Sequence, residues 1–391
     1  MRILILTHNY PRSAGDPAGA YVARLANAAA GAGHDVRVLA PHIAGTKEAE
    51  KDAGGTGVER FRYAPESLEL VGYRGDVRAR TLFSPVTLLL LPFFLSGFRR
   101  SARRLAQEFR PDVVHAHWWF PGGWVATGLR VPYVVTSHGS DARLLDRGTW
   151  FRRSAMPVLR GAARVTAASR FLAGDLERRM PGVSVTVTPM PVDVDRFGAA
   201  FKNPRVVPPR ILYAGNLVTG KGVDVLLRAV AELKQRSGPF RVKILGEGPE
   251  RSSLGALATD LGIAADVDWS PFVPQDRMPG EYGAATITVL PSRGQAEGLG
   301  LTLVEALLAG SAVVGTPAGG IPEVIEDEQT GLLARDGDAG HLATQIERLL
   351  RGGELRRRLT ADGAARMRAT YAPGAAAQRF LDLYAEIAGP R

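Results

Sequence analysis

The chain is predicted to be an α/β protein of two doubly wound, Rossmann-like domains facing across a cleft. Two observations carry this prediction. A succession of apolar run, glycine-bearing loop, helix-period segment and alternating strand opens the chain, and the same succession starts again at residue 210. Between the two lies "FGAAFKNPRVVPPR", rich in proline and without a period, which reads as a linker. A length of 391 residues suits two or three domains and allows sizeable cores.

The elements follow in order. Residues 2–7 form a short buried strand, and a loop with Pro11, Gly15 and Gly19 follows. "AYVARLANAAAGAG" has helical spacing and ends in glycines, and "DVRVLAP" alternates as a strand. In the second half "RILYAG" is a strand, "NLVTGKG" a loop, and "VDVLLRAVAELKQR" a helix with an apolar face at Val225, Leu226, Ala229, Val230 and Leu233. "FRVKILG" is the next strand. The last segment, "AAAQRFLDLYAEIAG", is an amphipathic helix. Ligands of such sheets bind at the C-terminal ends of the strands, and two facing domains would share one cleft.

Composition narrows the classes. With no cysteine, disulfides and thiolate metal sites are excluded, which suits the cytoplasm. The apolar run of "MRILILTHNYPR" stops at Leu6, so it is expected to be a strand and not a signal peptide. A net charge of +10 suggests anionic partners, although an arginine-rich composition accounts for part of it. No nucleic-acid recognition motif accompanies the charge, so no nucleic-acid partner is expected. "GAG" at 31–33 precedes a strand, and "GEGPE" at 246–250 lacks a third glycine, so neither half carries a dinucleotide fingerprint.

The densest motif is "LPSRGQAEGLGLTLVEALLAG". Glu297 falls in the loop before a helix, Glu305 one to two turns inside it, and Gly310 ends it. Gly298 and Gly300 allow close backbone approach to a ligand. A helix N-terminus is a ready anion site, and acids on either side of it can accept hydrogen bonds from hydroxyls. That arrangement suits a ligand with a central diphosphate, a ribose at one end and a sugar at the other. Spacing alone favours the plainer reading, a solvated loop acid and an ordinary helix acid.

This segment strongly resembles the Glu-x7-Glu donor-site motif of family 4 retaining glycosyltransferases, which have the GT-B fold. The resemblance continues through "GTPAGGIPEVI", "YAGNLVTGKG", "ILGEGPE" and "WSPFVPQDRMPGEYGAATITVLPS". In the first half "GAYVARLANAAAGAGHDVRVLAP", "PDVVHAHWWFPGG" and "VVTSHGSD" are similar to the family too. It implies a hexosyltransferase using a nucleoside diphosphate sugar, UDP- or GDP-linked, and a hydroxyl of a glycan, glycolipid or lipid-linked acceptor. It implies Glu305 on the ribose, Glu297 by the transferred sugar, and the amides of Gly298, Leu299, Gly300 and Leu301 on sugar and phosphate. Lys221 matches the lysine that holds the diphosphate, and His138 a histidine near the sugar, with Asp141 a further candidate. Gly19 matches a glycine that lets the backbone approach donor phosphate and acceptor. The family usually has Arg where this chain has Asn216, which brings no charge; Arg293 is a candidate substitute. No metal and no other cofactor is expected, and front-face displacement is implied. The resemblance also implies a first domain of residues 1–196 with 372–391, a linker at 197–209 and a donor domain at 210–371.

Other motifs are set beside this reading. His115 and His117 in "DVVHAHWW" are expected one on each face of a strand, hence not a chelate. "DVD" at 193–195 is read as hinge structure, and "WWFPGG" either packs in the core or stacks on an acceptor sugar. Residues 81–104 join a short apolar stretch to Arg99, Arg100, Arg103 and Arg104. They are read both as a helix buried on the first sheet and as a surface for anionic membrane, such as the inner face of the plasma membrane. The alternatives to a transferase are a sugar-nucleotide epimerase or phosphorylase on the same architecture and a non-catalytic sugar-nucleotide binder.

Overall fold

The computed structural model describes residues 1–389 apart from 14, 53, 70, 72–84 and 272. It divides into two compact units, Met1–Pro191 with Pro373–Arg391, and Val192–Ala372.

The first unit is built on eight strands: β1 (Arg2–Leu6), β2 (Asp35–Pro41), β3 (Ala49–Lys51), β4 (Gly57–Phe61), β5 (Val113–His117), β6 (Tyr133–Ser137), β7 (Arg164–Ala167) and β8 (Val185–Val187). Their order in the sheet is β3-β4-β2-β1-β5-β6-β7-β8. All neighbours are parallel except β3 against β4. Ile3, Leu4, Ile5 and Leu6 are all buried, as expected for a central strand covered on both faces. The C-terminal helix Pro373–Ala388 places Phe380, Leu381 and Tyr384 in one core with Val22, Leu25 and Ala26 of the helix Ala20–Gly31.

The second unit holds β9 (Arg210–Ala214), β10 (Arg241–Leu245), β11 (Val267–Ser270), β12 (Ile287–Leu290), β13 (Ala312–Gly315) and β14 (Leu332–Leu333). The sheet is parallel throughout, in the order β11-β10-β9-β12-β13-β14. The helix Val223–Arg236 buries Val225, Leu226, Ala229, Val230 and Leu233, the face that its spacing predicts. It packs on the helix Ala339–Arg351, which contributes Leu342, Ile346 and Leu349 to the same core.

The segment 197–209, expected as a linker, is docked on the second unit. Residues Val194–Ala199 form a helix that buries Phe197 in that unit's core. Arg205 donates to the carbonyls of Gly283 and Gly310, at the ends of the helices Met278–Ala284 and Leu301–Leu308. A cation is favoured there because the last carbonyls of a helix are unsatisfied and carry its negative dipole end. The first boundary therefore falls at Pro191/Val192. Asp193 of the "DVD" motif caps that helix by accepting from the Arg196 amide at 3.2 Å.

Candidate functional site

In both sheets the predicted residues gather at the point where the strand order reverses. In the second unit the chain leaves β9 toward β10 on one side and β12 toward β13 on the other, with β9 and β12 adjacent. The loops after these two strands must diverge and leave a crevice, where ligands of open α/β sheets bind. The loop after β9 carries Asn216 and Lys221, and the loop after β12 carries Glu297. The Arg293 amide ties the two loops together by donating to the Gly220 carbonyl at 2.9 Å.

Lys221 and Glu297 meet there. The Lys221 Nζ donates to Glu297 Oε2, and the two side chains are 18% and 16% exposed. Asn216 is exposed, and its carbonyl accepts from the Tyr213 hydroxyl at 2.9 Å. Burial and the nearby Glu297 charge hold that phenol protonated. Arg293, the candidate substitute for a cation at 216, pairs with Asp224 at 2.6 Å.

Gly298, Leu299 and Gly300 run from Glu297 into the helix Leu301–Leu308, whose first residue is exposed. Glu305 lies one turn inside, half-buried, and accepts from Gln275 Nε2 at 3.2 Å and from the Tyr282 hydroxyl at 3.1 Å. Burial, then the Glu305 charge, pushes the Tyr282 phenol well up, so it stays a donor. A backing for Glu297 was not read from the sequence. The Gly320 amide donates to the Glu297 carbonyl at 3.1 Å, and a Cβ on Gly319 would lie 1.8 Å from that oxygen. Gly319 also has φ +54°, so both its conformation and its space exclude a side chain. The "AGG" of "GTPAGGIPEVI" was the available signal.

The first unit repeats the arrangement between β1 and β5, which are adjacent. Gly19 heads the helix Ala20–Gly31 with φ 63°. A Cβ there would sit 2.1 Å from the Asn9 carbonyl, so the close approach that requires this glycine is to the chain's own backbone. His117 ends β5, and His138 follows β6.

His115 and His117 do not lie on opposite faces. Residues two apart on a strand share a face, and their rings are 4.3 Å apart. The Tyr384 hydroxyl of the C-terminal helix bonds to His115 Nδ1 at 2.6 Å, and His115 Nε2 bonds to Thr136 at 2.6 Å. His117 Nδ1 lies 3.0 Å from His138 Nε2. His117 Nε2 is buried without a partner. A buried orphan N–H is rarer than an under-used acceptor, so the proton belongs on His117 Nδ1. His138 then accepts at Nε2 and carries its own proton on Nδ1. Burial pushes His138 down to about 3 and His117 well below 6.5, so both rings are neutral near pH 7.

Aromatic rings enclose this histidine. Trp118 lies 4.5 Å and Tyr21 5.0 Å from the His138 ring, and Trp118 also lies 4.2 Å from His8. Trp118 has φ 64°, uncommon for a bulky residue and unreadable from sequence. Trp119 is buried in the first unit's core. Asp141 is buried and accepts from the Ser137 hydroxyl at 2.9 Å and the amides of His138 at 3.0 Å and Trp119 at 3.2 Å. It fixes the two loops that carry the rings. Among the described residues no group of three or more His, Cys, Asp or Glu is arranged to hold a metal ion.

Comparison with known proteins accords with this geometry. Residues 199–366 match the family described as Glycosyl transferases group 1, and residues 18–196 match Glycosyltransferase Family 4. The chain is 28% identical over 390 residues to a glycogen synthase of Mycobacterium tuberculosis, covering 93% of this chain and 91% of the relative. It is 31% identical over 333 residues to a D-inositol 3-phosphate glycosyltransferase of Frankia alni, covering 77% and 81%. The fold is that of a sucrose-phosphate synthase from Thermosynechococcus elongatus, with a TM-score of 0.75, 22% identity and 98% of both chains covered. It is also that of Anabaena HepE solved in complex with UDP-glucose, with a TM-score of 0.69, 20% identity and 98% and 99% covered. The chain is therefore a GT-B glycosyltransferase and belongs to glycosyltransferase family 4.

Proposed function

We propose that the protein is a retaining hexosyltransferase using a nucleoside diphosphate sugar, UDP- or GDP-linked, and a hydroxyl of a glycan, glycolipid or lipid-linked acceptor. The observation that carries this is the meeting of Lys221 and Glu297 at the strand-order reversal of the second sheet, at the head of the helix that bears Glu305. A cation and a helix N-terminus suit a diphosphate, and the carboxylates beside them suit hydroxyls. The UDP-glucose bound by Anabaena HepE supports this class of donor.

In this reading Glu305 takes the ribose hydroxyls and Glu297 the sugar, and the amides from Gly298 to Leu301 take sugar hydroxyls and phosphate. Lys221 stabilises the diphosphate as charge develops on it. The bond from the anomeric carbon to the β-phosphate oxygen breaks, and the acceptor oxygen bonds to that carbon on the same face. The departing phosphate oxygen takes the acceptor's proton, and no step passes through a metal. His138 donates a hydrogen bond from Nδ1 toward the sugar.

Thermal unfolding with UDP, GDP, ADP and their hexose conjugates tests the reading. A ligand at about a hundred times its Kd adds roughly 2.7 kcal/mol. One base should stabilise the wild type and fail with Glu305→Ala. No shift from any nucleotide would remove the donor site from the second unit.

A further inference from the structure

The helix Pro85–Phe109 buries one face and leaves another bare. Leu90, Phe94, Phe98, Leu105 and Phe109 lie in the first unit's core. Leu88, Leu89 and Phe93 are 47%, 72% and 60% exposed. Single exposed apolar residues are ordinary, but a cluster marks a surface that is covered in use. Further along the same stripe stand Ser96, Arg100 and Arg103, all exposed. Arg104 is held by Glu59 and Glu108, and Arg99 lies over the Trp124 ring. Arg100 and Arg103 have no ion pair among the described residues. A groove of about 280 Å³ opens beside the stripe, lined by Arg62, Tyr63, Phe93, Ser96 and Arg100 among others. Residues 81–84 of the sequence motif lie outside the described residues.

We propose that this face docks on a bilayer containing anionic lipids. Leu88, Leu89 and Phe93 enter the headgroup–acyl boundary, and Arg100 and Arg103 meet lipid phosphates. Charge complementarity selects the occupant, because an apolar cluster continued by arginines without an ion pair among the described residues fits a surface that is apolar below and anionic above. Leu89 and Arg103 are about 21 Å apart at 1.5 Å per residue, so both touch one surface only if the helix lies along it. Among the described residues no helix is long and apolar enough to cross a membrane. A second copy of the chain fits less well. Three apolar side chains fall well short of the roughly 800 Å² per partner of a stable interface.

The test needs no turnover, so it fails or succeeds independently of the donor-site reading. The full chain is sedimented with phosphatidylcholine vesicles, with and without phosphatidylglycerol, and its mass in solution is measured by light scattering. Binding is expected only to the anionic vesicles and should weaken with salt. Arg100→Gln and Arg103→Gln should each weaken partitioning about fivefold. The double variant Leu89→Asn/Phe93→Asn should abolish it while the unfolding temperature stays unchanged, since both side chains are exposed. Equal binding to neutral vesicles, no binding, or variants that bind like the wild type would overturn the proposal. So would a dimer that the double variant dissolves, because the face would then belong to a second copy.

Discussion

Replacing Gly319 by alanine tests how the chain holds Glu297. The new Cβ would lie 1.8 Å from the Glu297 carbonyl oxygen, where real contacts keep at least 3.0 Å. The Glu297 backbone, the Gly319 backbone or both must give way by about 1.2 Å. The cost has two parts. A non-glycine residue at positive φ loses roughly 1–2 kcal/mol, and a substrate-positioning group, as Glu297 is on the proposed reading, loses on the order of a hundredfold in rate when misplaced by about 1 Å. Gly337 separates them. It has φ +72° and open space around its would-be Cβ, so Gly337→Ala carries the conformational cost alone. Both variants should lower the unfolding temperature. Only Gly319→Ala should lower sugar transfer by about a hundredfold and blunt the stabilisation by the nucleotide that protects the wild type. If Gly319→Ala kept the turnover and nucleotide response of Gly337→Ala, the loop carrying Glu297 would be no part of the donor site.

Three further outcomes follow from the geometry. Lys221→Met should lower kcat by about a hundredfold or more, with a smaller rise in KM, because on the proposed reading the charge acts on the leaving diphosphate; equal effects on both in steady-state kinetics would reassign Lys221 to ground-state binding. His115 and His117 are buried neutral, with His115 pushed down to about 3 and His117 well below 6.5, so the unfolded chain binds more protons below about pH 6.5. Their contribution is complete above that pH and is lost as pH falls, by up to about 1.4 kcal/mol per pH unit for each histidine; urea unfolding at pH 7, 6 and 5 should show His117→Asn losing less than the wild type. His117→Asn keeps a donor near the Nδ1 position and should leave His138 protonated on Nδ1 in nitrogen NMR with near-normal turnover, whereas His117→Leu should lose both. A wild-type His138 protonated on Nε2 would refute the assignment.

Much of this was legible because it rests on period and local chemistry. The helix Val223–Arg236 buries the predicted face because spacing alone determines which side meets the sheet. Glu297 and Glu305 fall in the loop and the helix as read, since glycines at 298 and 300 delay the helix to Leu301. What was not legible depends on contacts distant in sequence. Proline-rich composition concealed the docking of 197–209, because nothing local shows that Arg205 reaches two helix ends. The need for glycine at 319 comes from a carbonyl 22 positions earlier. The histidine pair was legible and misread, since a strand's period of two puts His115 and His117 side by side. The partner of His115, Tyr384, lies 269 residues away, and only the fold brings it there.

The cations at the second crevice bear on the missing arginine at 216. Arg293 is engaged by Asp224, and Lys221 by Glu297. On the proposed reading a diphosphate must therefore draw Lys221 away from Glu297. A half-buried carboxylate without its cation is costly unless something else bonds to it, and the sugar hydroxyls of the same ligand are the groups at hand. Diphosphate and sugar would then be recognised together. A nucleoside diphosphate lacking its sugar separates Lys221 from Glu297 with nothing to satisfy the acid, so it should bind more weakly than the intact donor. Glu297→Gln removes that penalty and should bring the two affinities, measured by calorimetry, toward each other. If the wild type instead bound the bare diphosphate more tightly than the donor, and Glu297→Gln left that order unchanged, Lys221 and Glu297 would not be competing for the same ligand.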